Sequence, residues 1–307
     1  MLGYAVRRLL WMPPLLWAVA TVTFVLMHAI PGGPFSGQAK AGPPVVEALE
    51  RAHNLDEPLW EQYVLYLWNL LHLDLGVSYT RAQDVGTIIS EGMAVSAQLG
   101  VISFAVAVTV GMGLGLLSAL NQNGPLDYLG VFFATVGAAM PSFILATFLV
   151  VVFSVNLGWT DVLGWEFGNP RKMVLPVAAL SVLPTAYIAR MTRASVLDVL
   201  RQDYIRTARA KGLPEYAVVL RHAMKNAMIP VLTILGPLFA VLITGSFIVE
   251  GIFEINGIGR RFVDAVFNRD YGLIMGTTIF YAVIVAFANL IVDLLYGVVD
   301  PRIRYQG

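Results

Sequence analysis

Six long apolar stretches constrain this chain more than any other feature. A helix needs about 20 mostly apolar residues to cross roughly 30 Å of hydrocarbon. The stretches run from about Leu9 to Ile30, Ser96 to Leu120, Leu129 to Leu157, Val174 to about Ile188, Met228 to Val249 and Leu273 to Val299. The fourth is the shortest and contains Pro176 and Pro184. The sequence is 57% hydrophobic and 13% charged, with a mean hydropathy of +0.71. Soluble domains carry roughly a quarter charged residues, so a buried core does not absorb this apolar surplus and it must face lipid. The expected fold class is all-α, a polytopic membrane protein with six transmembrane helices.

The first stretch follows Arg7 and Arg8, and Ala39-Lys40-Ala41 resembles a signal-peptide cleavage site. The apolar run is longer than a signal core and the small-residue site lies far beyond it. A retained span is therefore expected. Basic residues favour the cytoplasmic side. With the N-terminus inside, Arg7, Arg8, Arg190, Arg193, Arg201, Arg206, Arg209, Lys211, Arg221, Lys225, Arg302 and Arg304 are cytoplasmic. They exceed the remaining basic residues in number and sit in shorter segments, so both termini are expected in the cytoplasm.

Formal net charge is zero, which argues against nucleic-acid binding. The absence of cysteine excludes disulfides and thiolate chemistry. The histidines His28, His53, His72 and His222 contain no i, i+4 pair and no HExxH, so no metal site is expected. His28 reads as an interface residue.

The domain reading is a first transmembrane helix over 1–30, an extracytoplasmic loop region over 31–95, and a core over 96–307 with a cytoplasmic loop at about 190–227. In the outer region Pro31-Gly32-Gly33-Pro34 stops a helix, and Asp56-Glu57-Pro58 opens another of about 14 residues, too short to span. It is expected to pack amphipathically. In the inner loop Gly212-Leu213-Pro214 breaks two helical pieces. A basic helix–glycine–helix element projecting into the cytosol reads as a docking handle.

The run Tyr204-Ile205-Arg206-Thr207-Ala208-Arg209-Ala210-Lys211-Gly212-Leu213-Pro214, followed by His222-Ala223 and Ile229-Pro230, closely resembles the cytoplasmic EAA motif of bacterial ABC importer permeases. Thr207-Ala208 stands where many relatives have Glu-Ala. Further matches run nearly end to end: Asp74-Leu75-Gly76-Val77-Ser78-Tyr79, Met140-Pro141-Ser142-Phe143, Val249-Glu250-Gly251-Ile252-Phe253, Gly257-Ile258-Gly259, Asn268-Arg269-Asp270-Tyr271 and Asp300-Pro301-Arg302-Ile303-Arg304-Tyr305. They resemble the B-type subunit of the oligopeptide/dipeptide permease family. Asn256 and Gly272 depart from the pattern, and both are expected to loosen the outer loop.

The resemblance implies a type I ABC importer permease forming half of a heterodimeric pore with a C-type permease subunit. It implies two cytoplasmic ABC ATPase subunits, an extracytoplasmic substrate-binding protein and peptide cargo. It also implies a coupling helix seated in an ATPase cleft, with Thr207, Ala208, Ala210 and Gly212 letting the partner approach. Arg206, Arg209 and Lys211 either meet an acidic rim or express positive-inside bias alone. ATP and Mg would be bound by the partner ATPases, since no GxxxxGK[ST] occurs here; the chain itself is expected to hold no cofactor and not to be an enzyme.

Within the spans, Asn289, Asp293 and Tyr296 share a face of the sixth helix. An acid at a span centre costs about 2.5–3.5 kcal/mol, so this stripe must face protein or water. Interhelical hydrogen bonding is favoured over a proton relay. Glu250, Gly257, Gly259, Asn289, Asp293, Asp300, Pro301 and Arg302 are the candidate gating or structural residues, with Glu250 and Glu254 read as lying outside the fifth span. Gly111-x-x-x-Gly115 reads as a close-packing face. An intramembrane enzyme would need paired catalytic groups at one depth, and a stand-alone secondary transporter would favour intramembrane charges and inverted repeats; neither pattern is evident. Nickel chelates, glutathione and oligosaccharides remain alternative cargoes for this permease type.

Overall fold

Inside hydrocarbon the backbone must satisfy its own polar groups, and a helix does so within one segment. In a computed structural model of the chain, residues 2–30, 32–35 and 42–299 are described, with side chains described for 6–30, 32–35 and 42–291. Among these, helices account for the fold, and the only strand-like pairing is an isolated bridge between Val77 and Asp84. Helix α1 spans Leu2–Ala29, α2 Pro43–Ala52, α3 Leu59–Leu71 and α4 Val85–Leu120. Then come α5 Pro125–Ala139, α6 Ser142–Leu149, continued by a wider π-helical turn to Asn156, and α7 Pro170–Leu200. Helix α8 covers Asp203–Ala210 and α9 Glu215–Ala217, the latter widening through Ala223 into α10, Met224–Ile243. Helices α11 Phe247–Ile252, α12 Ile258–Phe267 and α13 Tyr271–Val299 complete the order.

Five helices are long and apolar enough to cross a membrane, and the bent pair formed by α5 with α6 and its extension makes a sixth span if read as one. The expected third span is not continuous. Its halves meet at 105°. Pro141 disfavours helical geometry at the residue before it, and Met140 is extended at φ −85°, ψ 119°. The fourth span is not short either: α7 runs 31 residues through buried Pro176 and Pro184. Neighbouring helices make prolines tolerable at such positions.

The most extensive packing joins α4 to α7, and α10 lies against both and against α13. Two glycines allow the α4–α7 approach. A Cβ on Gly111 would stand 2.9 Å from the Thr185 carbonyl oxygen, and one on Gly115 2.5 Å from that of Ala189. The expected close-packing face is thus the seam between the second and fourth spans. Helix α1 packs on α13 at the edge of this group. One end of the bundle, the handle end, carries α8 and α9. The opposite end carries a cap made of α2, α3, the segment 72–84, α11 and α12.

Candidate functional site

The handle begins where α7 ends. Ile205 and Ala208 turn inward onto Val218 and Ala223, giving the handle a small core of its own. The chain then reverses through a Schellman turn: the Gly212 N–H donates to the Arg209 carbonyl at 2.9 Å and the Leu213 N–H to that of Ala208 at 3.4 Å. Gly212 sits at φ +76° with no atom within 4 Å of a would-be Cβ. Its glycine is needed for the left-handed turn and not for crowding inside the chain. Pro214 then precedes α9.

Two expectations about this element change. Ala208 is buried within the handle, so it is closed to a partner, and the exposed small surface is Thr207, Ala210 and Gly212. The arginines are also engaged locally. Arg209 makes a two-pronged pair with Glu215, at 2.6 and 3.1 Å, and Arg206 lies 3.3 Å from Asp203. The Glu215 carboxylate beside Arg209 holds its guanidinium above the ordinary arginine range. Lys211 is exposed. Asn226 donates to the Tyr204 hydroxyl at 2.8 Å, tying α8 to α10.

A buried ion pair that the sequence reading did not find braces the handle end. Arg193 on α7 grips Asp127 on α5 with two charge-assisted bonds, Nε to Oδ1 at 2.6 Å and Nη2 to Oδ2 at 2.7 Å. The Ser118 hydroxyl and the Asn123 N–H also donate to Asp127. The α4–α5 turn is thereby bolted to the helix that leads into the handle. Its one sequence signal was an acid two residues after Pro125 at a helix start.

At the cap end, Glu250 is fully buried, not a solvated loop charge. The Ser96 hydroxyl of α4 donates to Glu250 Oε1 at 2.7 Å, and the Arg260 N–H to Oε2 at 2.9 Å. Ser96 Oγ in turn accepts from the Ile258 N–H at 2.9 Å. Gly257 and Gly259 form the cradle: a Cβ on Gly257 would collide with the Glu250 carboxyl and the Ser96 hydroxyl, and one on Gly259 would stand 2.9 Å from the Phe247 nitrogen. The two family segments around Glu250 and around Gly257-Ile258-Gly259 therefore fold into a single knot against α4. Glu254, by contrast, is exposed.

Asp270 makes a second knot. It caps α13, accepting from the Leu273 N–H at 3.2 Å, and is bound by the Ser78 hydroxyl, the Tyr79 N–H and the Thr80 hydroxyl at 2.5, 3.0 and 2.7 Å. Burial, followed by the Asp270 charge, pushes the Tyr79 phenol up to about 12. Gly272 does not loosen this region. The Val77 carbonyl oxygen occupies the space a side chain there would need. Asn256 is exposed. His28 bridges helices: its Nδ1 faces the Phe24 carbonyl at 2.9 Å and its Nε2 faces Gln62 Oε1 of α3 at 3.3 Å.

Asn289 is half-buried on α13 and lines a groove against α1, beside Arg8, Trp11 and Tyr281. The side chains of Asp293 and Tyr296 lie outside those described, and Asp300, Pro301 and Arg302 lie outside the described residues. Between α4, α5 and α7 a concave space of about 560 Å³ is walled by Val106, Val110, Phe133, Val177 and Val182, with Ser181 and Thr185 as its polar groups. No cluster of metal-ligating side chains occurs among the described residues.

A helical bundle with five helices able to cross a membrane, or six with the bent pair read as one, defines a polytopic membrane protein. Two solved structures share the fold. An amino acid ABC transporter aligns with 18% identity and a TM-score of 0.55, covering 69% of this chain and 94% of that one. The MetNI methionine ABC transporter, in inward-facing conformations, aligns with 15% identity and a TM-score of 0.56, covering 69% and 96%. The chain belongs to the family of binding-protein-dependent transport system inner membrane components, whose profile matches residues 111–305. It is 45% identical over 305 residues to the dipeptide transport system permease protein DppB of Bacillus subtilis, covering 99% of this chain and 98% of the relative. It is 42% identical over 306 residues to the oligopeptide transport system permease protein OppB of Haemophilus influenzae, covering 99% and 100%.

Proposed function

We propose that this chain is one transmembrane subunit of an ATP-driven importer of dipeptides or oligopeptides. It works with a C-type permease subunit, two cytoplasmic ATPases that bind ATP and Mg, and an extracytoplasmic binding protein. The observation that carries the cargo assignment is full-length similarity, at 45% and 42% identity, to a dipeptide and an oligopeptide permease. The chain performs no hydrolysis itself.

The handle end faces the cytoplasm, as its basic residues favour. Exposed Thr207, Ala210 and Gly212 with Lys211 meet the ATPase, and Glu215 keeps Arg209 on the handle. ATP-driven movement at the handle passes along α7, and the Asp127–Arg193 pair carries α5 with it. The knots at Glu250 and Asp270 hold the cap end together while the helices move. Alternating access needs only that nucleotide-bound and free partners prefer different packings of these helices. The apolar space between α4, α5 and α7 supplies wall area for peptide side chains of varied identity.

The test is uptake into vesicles holding the reconstituted importer, with a panel of labelled dipeptide, oligopeptide, nickel chelate, glutathione and oligosaccharide. ATP-dependent entry of the peptides is expected. Entry of another panel member with exclusion of peptides would overturn the cargo assignment.

A further inference from the structure

Helix α3 carries two apolar faces, and the bundle uses one of them. Tyr63 and Tyr66 turn toward α1, with ring centroids 5.2 and 6.3 Å from that of Phe24. The Tyr63 hydroxyl lies 2.6 Å from Thr21 Oγ1. On another face Trp60, Val64, Trp68 and Leu71 follow the spacing of a single helical stripe. They are 67, 56, 61 and 78% exposed. No charged residue falls inside the stripe; Glu61 flanks it and Glu57 precedes the helix.

The depth of α3 follows from its anchor. Thr21 stands about 12 Å back from Ala29 at 1.5 Å per residue. The apolar part of α1, Val6–Ala29, has 24 residues and is about 36 Å long against a hydrocarbon thickness of about 30 Å. Even with the excess at one end, Thr21 lies within the hydrocarbon. At the same level α1 exposes Val22, Val25 and Leu26, the lipid-facing surface of a span. A helix hydrogen-bonded at that depth continues this surface. Tryptophans alternating with aliphatic residues along one helix face suit the region where acyl chains meet headgroups.

We infer that α3 is a partly inserted helix whose Trp60, Val64, Trp68 and Leu71 contact lipid in the cap-end leaflet, anchoring the cap to the bilayer. A protein partner docked on this face is the competing occupant, and the depth argues against it.

The sequence has no cysteine, so a single spin label reports one position. Val64→Cys and Leu71→Cys, which keep both tryptophans, are placed in the assembled importer in lipid vesicles. The signal of the importer with the unsubstituted chain is subtracted. Collision with oxygen, which partitions into lipid, is compared with collision with a water-soluble nickel chelate. The oxygen-to-nickel ratio at 64 and 71 is expected to match that of Val25→Cys on α1 and to exceed that of Glu57→Cys. A ratio equal to that of Glu57→Cys, or protection from both reagents as a protein contact would give, overturns the inference. Native tryptophan emission gives a label-free check. Brominated lipid should quench less of it once Trp60→Phe and Trp68→Phe are combined, and an unchanged quenched fraction contradicts lipid contact.

Discussion

Asp127→Asn removes one charge from the pair that bolts α5 to α7. The Asp127 side chain is 4% exposed and that of Arg193 28%. Removing one member of a buried ion pair costs about 3–5 kcal/mol, because the other charge is left uncompensated. Two features lower the figure here. Asparagine still accepts from the Asn123 N–H, and the partly open guanidinium regains some hydration, so the expected loss is about 2–3 kcal/mol. Arg193→Met alone should cost a similar amount, since it strands the carboxylate. Asp127→Leu combined with Arg193→Met should recover most of the loss, because well-packed apolar replacements of a buried pair are often neutral. The assay is denaturant-induced unfolding of the purified importer in mixed micelles, with Asp127→Leu alone, Arg193→Met alone and the two combined forming a double-mutant cycle. A coupling energy below about 0.5 kcal/mol, the usual scatter for independent sites, would refute the claim that the two residues act as one brace.

Gly257→Ala should destabilise the cap by about 1–3 kcal/mol through overpacking against Glu250 and Ser96, whereas Gly251→Ala, with nothing within 4 Å of its Cβ position, should leave the unfolding midpoint nearly unchanged. Gly212→Ala should cost about 1–2 kcal/mol from its left-handed backbone and retain ATPase binding, measured by co-purification. Tyr79 gives a pH signature. Its phenol is pushed up to about 12 from 10.0, so the neutral form is favoured by folding. That stabilisation is fully present below pH 10 and is lost as pH rises toward about 12. Phenol absorbance and unfolding followed together should show this alkaline step, and Tyr79→Phe should reduce its amplitude by one phenol, because burial pushes the Tyr66 phenol up to about 12 as well.

The spans were legible because lipid-facing helices need long apolar runs, and the Gly212 break was legible because a helix stop followed by proline has a local chemistry. What the sequence hid was of two kinds. The bend at Met140-Pro141 lies within an unbroken apolar run, where composition outweighed the proline. The second kind is long-range pairing. Nothing local to Asp127 marks Arg193 as its partner, and nothing local to Glu250 marks Ser96. The Gly257-Ile258-Gly259 and Ser78-Tyr79 segments were recognisable as family features. Their physical task, cradling Glu250 and binding Asp270, emerged only when residues far apart in the chain met. Ala208 shows the opposite failure. A small residue in an exposed motif was read as a contact surface, while the handle uses it to close its own core.

The most direct test of the account is the number of labelled peptides imported per ATP hydrolysed by the reconstituted importer carrying Gly212→Trp, compared with the unsubstituted complex. A tryptophan at this exposed turn should obstruct the ATPase contact, so peptide import should collapse relative to hydrolysis while the subunits remain assembled. Import with an unchanged ratio of peptide to ATP would contradict the assignment of the handle as the element that couples hydrolysis to transport.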